Sequence, residues 1–138
     1  MAGSLDLAGH RVLVLEDSYY LASDIARALR AAKAEVIGPF PTEAAALARL
    51  ATAEPTCALL DINLGAGPTF EVAHRLAAQR IPFAFVTGHD DSLIPPAFRS
   101  AGRFQKPVDP ARLVSAFAAM LAMDPSEREP PATRTTGA

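Results

Sequence analysis

The sequence predicts an α/β protein with a doubly wound, five-stranded parallel sheet. Three observations support this prediction. Five short apolar segments alternate with segments of helical periodicity, which is the pattern of a parallel sheet covered on both faces. Residues 56–60 (TCALL) are continuously apolar, as a strand buried on both faces requires. Half of the 138 residues are apolar, which is enough for a core in a single domain. The expected strand order is 2-1-3-4-5.

The first part of the chain alternates two strands and two helices. Residues 11–15 (RVLVL) are the first predicted strand and residues 35–40 (EVIGPF) the second. A helix with Ser18 as its N-cap is predicted between them. Its apolar positions fall on one helical face: Leu21, Ile25, Ala28, Leu29 and Ala32. An Ala-rich helix then begins at Pro41–Thr42 and ends near residue 51.

The middle of the chain contains the buried strand 56–60, a loop (DINLGAGP) and a helix over residues 69–79. Residues 82–87 (PFAFVT) are the fourth predicted strand. These segments keep the order of strand, helix and strand seen earlier in the chain. They therefore continue the alternation that defines the fold class.

The last part of the folded body contains a short helix, a strand and a longer helix. The short helix is predicted near residues 96–100, where Pro95 and Pro96 restrict its start. Residues 102–105 are a brief fifth strand, and Asp109 is the predicted N-cap of the last helix. The alternation thus comprises five strands and five helices.

One domain is predicted over residues 10–123. Residues 1–9 form a loose amino-terminal segment. Residues 124–138 (DPSEREPPATRTTGA) contain no apolar run, so a disordered tail is predicted there. About 15 residues after the last helix are too few for an output domain, which favours a protein that acts by contacts with other proteins.

Composition excludes several classes of function. The single cysteine, Cys57, excludes an intramolecular disulfide framework. A net charge of −2 without a Lys/Arg block argues against a nucleic-acid partner. No apolar run approaches the roughly 20 residues of a membrane span. No secretory signal pattern is found at the start. A cytoplasmic protein is therefore expected, with neither nucleic acid nor membrane as a partner.

Chemically active side chains stand where predicted strands end. The first strand is followed by Glu16 and Asp17, the third by Asp61, the fourth ends at Thr87, and the fifth is followed by Lys106. Carboxyl ends of parallel strands meet at one edge of the sheet. Three carboxylates there would repel one another, and this repulsion would raise the pKa values of some of them. A bound cation would offset the repulsion.

Oxygen ligands favour Mg²⁺ over a transition metal. Asp17 is the predicted direct ligand, Glu16 would act through water, and Asn63 would offer its backbone carbonyl. Asp61, on the middle strand, is both a ligand and the predicted nucleophile. A carboxylate beside Mg²⁺ with a lysine opposite is suited to accept a phosphoryl group. Thr87 would donate its hydroxyl, and Lys106 its charge, to the phosphoryl oxygens.

These strand ends are embedded in four short motifs. They are VLVLED ending at Asp17, LLDINL around Asp61, FVTG around Thr87 and QKP around Lys106. Asp61 follows Asp17 by 44 positions, Thr87 follows Asp61 by 26, and Lys106 follows Thr87 by 19. Over residues 10–123 the chain resembles the receiver domains of bacterial two-component response regulators, the flavodoxin-like family of the chemotaxis regulator. A stand-alone receiver is expected.

The resemblance implies phosphoryl transfer to Asp61 from a histidine kinase or a histidine phosphotransfer protein, with Mg²⁺ as cofactor. It implies a phosphorylation-driven change around the fourth and fifth predicted helices and the fifth strand. The protein would be a single-domain response regulator and not an enzyme. It would signal through a downstream protein or serve as a phosphate reservoir.

Two departures from the family pattern concern the switch. Receivers usually carry Tyr or Phe three residues before the lysine, where this chain has Arg103, with Phe104 one place later. Adjacent strand residues face opposite sides, so Phe104 is not expected to act as that aromatic. The side chain of Arg103 is expected to stay outward. The loop from Gly88 to Pro96 is expected to move instead when Thr87 shifts toward the phosphoryl group.

The chain also matches a subgroup of stand-alone receivers only in part. That subgroup carries a Phe-Ala-Thr-Gly motif with a following Tyr. Here the alanine is Val86 and the tyrosine position is Asp90.

Two other functions share part of this pattern. A dehalogenase-type phosphohydrolase also uses an Asp nucleophile, but it requires a second Asp two residues later, where Asn63 stands. A receiver-like binding module that switches without phosphorylation stays open because of Arg103.

Overall fold

The computed structural model of the protein describes residues 6–62, 70–88 and 94–123. Five strands form one parallel sheet in the order β2-β1-β3-β4-β5, which confirms the predicted fold class. The strands are β1 (Arg11–Leu15), β2 (Glu35–Phe40), β3 (Cys57–Asp61), β4 (Phe83–Thr87) and β5 (Gly102–Gln105). The predictions for the tail 124–138, for Asn63 and for Asp90 lie outside the described residues.

Four α-helices are found in the described part of the chain: α1 (Tyr19–Ala31), α2 (Glu43–Ala53), α3 (Glu71–Ala78) and α4 (Pro110–Ala122). Side chains cap three of them. Ser18 accepts from the Leu21 N–H, Thr42 from the Ala45 N–H and Asp109 from the Arg112 N–H. These bonds satisfy donors that the first helical turn leaves unpaired.

The fourth predicted helix is shorter than expected. Residues Pro96–Phe98 form a single 3-10 turn instead of a helix to residue 100. The strand β5 already begins at Gly102, so the chain after Pro96 has room for little more than one helical turn. The chain then bends directly into β5.

Packing begins before residue 10, at Leu7. The sequence placed this residue in the loose segment 1–9, but its side chain is buried and its N–H donates to the Ala32 carbonyl at 2.7 Å. An apolar side chain that finds space beside α1 gains by leaving water. The described residues that precede β1 therefore belong in part to the packed body.

The sheet separates two hydrophobic cores. The core between the sheet and α2 and α3, here the α2/α3 core, contains Leu13, Leu60 and Phe85 from the strands. The core between the sheet and α1 and α4, the α1/α4 core, contains their sequence neighbours Val14, Leu59 and Val86. The alternation follows from the two-residue period of a strand and explains why β3 and β4 are apolar up to their last residues, Asp61 and Thr87.

No helix among the described residues is long and apolar enough to cross a membrane.

Candidate functional site

The carboxyl edge of the sheet brings the predicted site residues together. Asp61 ends β3 and Thr87 ends β4, while Glu16 follows β1 and Lys106 follows β5. Strand pairing is in register up to these positions, with Leu15 opposite Leu60 and Thr87 opposite Gln105. Neighbouring parallel strands in register place their last residues side by side, and this is why residues far apart in sequence converge here.

Lys106 bridges two buried carboxylates. Its ammonium Nζ lies 3.3 Å from Oε2 of Glu16 and 3.3 Å from Oδ2 of Asp61. Burial alone would lower the pKa of Lys106, but the charges of Asp61 and Glu16 outweigh burial and raise it. The ammonium is therefore firmly protonated, as a cation between two acidic groups should be.

Glu16 is the most constrained carboxylate of the site. It is 2% exposed, and its Oε2 accepts from the Ser18 N–H at 3.1 Å and from Lys106 Nζ. Its other oxygen, Oε1, has no hydrogen-bond partner among the described residues. Burial, followed by the charge of Asp61, raises the pKa of Glu16 to about 7, although Ser18 and Lys106 act in the opposite direction.

Three carboxylates have the arrangement of a cation site. One oxygen each of Glu16, Asp17 and Asp61 lie within 4.8 Å of one another, with Glu16 and Asp61 buried and Asp17 exposed. The donor set is all oxygen, and the buried Oε1 of Glu16 is left for a further ligand. Hard divalent cations bind such sets, so these residues fit a metal ion.

Thr87 is buried at the end of β4, beside the carboxylates. Its hydroxyl donates to the Gly88 carbonyl at 3.5 Å, which is the outer limit of a hydrogen bond. Its own carbonyl accepts from the backbone N–H of Lys106 at 2.6 Å. This backbone bond ties the lysine-bearing turn to β4, while the hydroxyl is held only loosely.

Arg103 and Phe104 face opposite sides of the sheet. Phe104 packs against the α1/α4 core. Arg103 pairs with Phe85 in the strand register and donates from Nη2 to the Arg99 carbonyl at 3.1 Å. The guanidinium thus has a backbone partner at the end of the 3-10 turn. The expected role of the loop from Gly88 to Pro96 lies largely outside the described residues.

Sequence reasoning missed an aromatic cluster below the site. Phe85 and Phe98 have ring centroids 6.0 Å apart, and Phe70 lies 5.7 Å from Phe85. The ring of His74 in α3 contacts Phe98 at 4.8 Å. The repeated phenylalanines of PFAF were a signal for this cluster, but its other members come from separate elements and could not be paired from sequence.

Comparisons with known proteins agree with this geometry. No protein-family model matches the sequence, and no curated protein matches it. Among solved structures, the chain is similar to SdrG from Sphingomonas melonis Fr1, with 32% identity and a TM-score of 0.67, over 79% of this chain and 94% of that one. It is also similar to the BeF3-activated conformation of SdrG from Pseudomonas melonis Fr1, with 34% identity, a TM-score of 0.69, and coverage of 83% and 98%.

A parallel five-stranded sheet with acidic residues and a lysine at its carboxyl edge defines a receiver-type domain. The similarity to SdrG makes the assignment specific: the chain belongs to the response-regulator receiver domains. The chain is further similar to the PhyR stress response regulator, with 25% identity and a TM-score of 0.66, over 82% of this chain and 45% of PhyR. It therefore spans less than half the length of PhyR.

Proposed function

We propose that this receiver domain accepts a phosphoryl group on Asp61 from a phosphohistidine of a histidine kinase or a histidine phosphotransfer protein. The observation that supports it most directly is the ammonium of Lys106, 3.3 Å from both Glu16 and Asp61 within the three-carboxylate cluster. The domain then signals by contacts with a downstream protein or stores the phosphoryl group. It is a signalling module and not an enzyme, and it acts in the cytoplasm, where such kinases present their phosphohistidine.

The transfer requires a nucleophile and neutralising groups. A carboxylate oxygen of Asp61 forms a bond to phosphorus while the bond from phosphorus to the donor imidazole nitrogen breaks, and the electron pair stays on that nitrogen. Lys106 is placed to stabilise charge on the phosphoryl oxygens. The loosely held hydroxyl of Thr87 is free to turn and donate to one of these oxygens.

Mg²⁺ is the cation that this site fits best. Asp17, Asp61 and Glu16 would hold it, with the backbone carbonyl of Asn63 as a further ligand. When bound, it supplies positive charge for the carboxylates and for the incoming phosphoryl oxygens. The exposed Asp17 gives the site an opening to solvent, while the buried Glu16 and Asp61 fix its position.

The relatives support the same role. SdrG is known in a BeF3-activated conformation and PhyR is a stress response regulator. We expect this chain to bind beryllofluoride at Asp61 in the presence of Mg²⁺. Amide resonances of residues 16, 17 and 61 should then shift.

Acetyl phosphate with Mg²⁺ provides the direct test. Intact-mass measurement should show one added phosphoryl group on the wild-type chain and none on Asp61→Asn, which is nearly isosteric and should keep the fold. Asp24→Asn, at an exposed carboxylate of α1, is the matched control and should be labelled normally. Label on Asp61→Asn would overturn the assignment.

A phosphorylation-independent binding module is the second candidate. It is favoured by Phe104, which packs on the α1/α4 face, and by Arg103 at the usual aromatic position. The same experiment decides between the two: a wild-type chain that takes no label from acetyl phosphate, and no beryllofluoride, would support the binding module.

A further inference from the structure

An open groove lies where β5 turns into helix α4, at the edge of the sheet. Its volume is about 250 Å³, and its apolar border is formed by Phe104, Pro107, Val108, Leu113 and Ala116. Leu113 is buried and Pro107 is exposed, so the groove extends from the packed core to the surface. Small-molecule sites measure roughly 300–1,000 Å³ and enclose most of their ligand. A smaller, open groove is better suited to a short length of peptide.

The polar border of the groove includes a guanidinium that is available to an anionic group. Arg112 is exposed in the first turn of α4, where its backbone N–H donates to the capping carboxylate of Asp109 at 3.1 Å. Its side chain forms no ion pair with any carboxylate in the described part of the chain. The groove thus combines apolar side chains with one positive charge. This combination favours a segment that carries carboxylates beside apolar residues.

The chain that follows α4 has this composition. The helix ends at Ala122, and the sequence continues for 15 residues after Met123. Within it, Glu127 and Glu129 are followed directly by Pro130 and Pro131. The stretch has no apolar run from which to build a core of its own, so an ordered contact must be made with the folded body. Consecutive prolines favour the polyproline II conformation, which costs little entropy to order on binding.

The length of this stretch matches the path back to the groove. Helix α4 has 13 residues, so its end lies about 20 Å from its start. A polyproline II chain advances about 3.1 Å per residue, so a return along α4 brings the two prolines about 22–25 Å from Met123, level with the groove. Arg112 lies about 15 Å before the end of the helix, and the two glutamates are reached after about 12–19 Å of chain. The acidic residues therefore fall level with the guanidinium.

We infer that residues 127–131 of this chain dock into the groove beside α4. The two prolines pack against the ring of Phe104, and one of the two glutamates pairs with Arg112. Proline-rich segments bind aromatic-lined grooves in this way. Covalent attachment through a short linker gives the segment a high effective concentration, so weak contacts suffice to hold it. The segment is then an internal competitor for any protein that binds this groove. The inference does not depend on phosphoryl transfer to Asp61.

Paramagnetic broadening of amide signals tests the docking in the full chain. A nitroxide is attached through the variant Ala132→Cys, in a chain that also carries Cys57→Ala. Docking predicts that the loss of signal, relative to the reduced label, is greatest at Gln105, Val108 and Arg112. A segment that makes no contact with the groove would instead broaden residues 119–123 most, since these lie nearest to it along the chain. That second result would overturn the inference.

Charge reversal tests the pairing with Arg112. Arg112→Glu should remove the loss of signal at Gln105 and Val108, and it should keep the fold, because an acidic residue is favourable in the first turn of a helix. Adding Glu127→Arg/Glu129→Arg to that variant should restore the loss. Arg49→Glu is the matched control, because Arg49 is an exposed arginine of α2 on the opposite face of the sheet. It should leave the broadening unchanged. Broadening that survives Arg112→Glu would contradict the proposed docking.

A mixing experiment identifies the chain that supplies the segment. Nitroxide-bearing chains without isotope label are mixed with isotope-labelled chains that carry no nitroxide. Docking within one chain predicts no loss of signal in this mixture. A loss at Gln105 and Val108 would show that the segment of a second copy occupies the groove, and the intramolecular contact would then be wrong.

Discussion

The carboxylate of Glu43 accepts a hydrogen bond from the backbone N–H of Val72 at 2.9 Å, so a residue of α2 caps the amino end of α3. Helix α3 has no side-chain cap of its own, because Phe70 occupies the N-cap position. Phe70 also has a φ of 63°, in the left-handed region that favours glycine. Helix α3, which follows the strand that ends in Asp61, is thus capped at its start by the Glu43 carboxylate of another helix.

Removal of this cap should weaken the fold. Glu43→Ala is expected to lower the free energy of unfolding by about 1 kcal/mol, since a helix N-terminus loses both a hydrogen bond and a favourable negative charge. Glu43→Gln keeps an acceptor oxygen and should lose less. Urea unfolding followed by circular dichroism measures both.

Glu71→Gln, at an exposed carboxylate in the first turn of α3, is the control and should change stability by under about 0.5 kcal/mol. Equal effects at Glu43 and Glu71 would show that the cap is not specific.

A second stability prediction concerns Arg80, which follows the end of α3. Arg80 has a φ of 60°, and an exposed non-glycine residue in this conformation is unfavourable by roughly 1–2 kcal/mol. Arg80→Gly should therefore raise the free energy of unfolding by roughly 0.5–1 kcal/mol, after the greater entropy of glycine in the unfolded chain is subtracted. Arg75→Gly, inside α3, should lower it by about 1 kcal/mol. Thermal unfolding of the two variants should thus shift in opposite directions.

Mg²⁺ should stabilise the native chain. At ten times its dissociation constant, a ligand specific for the native state adds about 1.4 kcal/mol to the free energy of unfolding. Asp17→Asn should remove most of this gain, because it deletes the exposed carboxylate of the cluster. Asp24→Asn should retain it. Urea unfolding with Mg²⁺ and with EDTA gives the comparison, and an identical gain in Asp17→Asn would place the cation elsewhere.

The thiol of Cys57 should be inert and its titration should oppose folding. Burial raises the pKa of Cys57 from 9.0 to about 11, against a hydrogen bond with Thr56 that lowers it. Between pH 9 and pH 11 the unfolded state has lost the thiol proton while the native state still binds it, so stability falls as the pH rises through this window.

Two measurements check this expectation. Iodoacetamide at pH 8 should modify Cys57 far more slowly in the native chain than in urea. The loss of stability from pH 9 to pH 11 should be smaller in Cys57→Ala than in the wild type. Rapid modification of the native chain would show that the thiol is accessible.

The convergence of the site was predictable because it depends on strand ends alone. Alternation of strands and helices defines a parallel sheet, and a parallel sheet places Glu16, Asp61 and Lys106 at one edge whatever the details of packing. The opposite orientations of Arg103 and Phe104 also follow from the two-residue period of a strand. These features need only local pattern and topology.

Other features depend on contacts that no local pattern encodes. Glu43 and Val72 are 29 residues apart, and a carboxylate in the first turn of α2 has no sequence signature for capping α3. Arg103 was expected to stay outward, but the hydrogen bond that its guanidinium donates to the Arg99 carbonyl at 3.1 Å has no signature in the sequence. The ring contacts of Phe70 with Phe85 and Phe98 likewise join residues of separate elements.

The strand β4 supplies side chains to both cores, Phe85 to one and Val86 to the other, and it ends at Thr87. The strand β4 is therefore packed into the α2/α3 core and the α1/α4 core at once. Protein interiors are close-packed and transmit displacements with little compression. A shift of the carboxyl end of β4 would move Phe85 in one core and Val86 in the other together. A ligand that shifted the end of β4 would therefore act on both cores, and any coupling between ligands on the two sides would be equal in both directions.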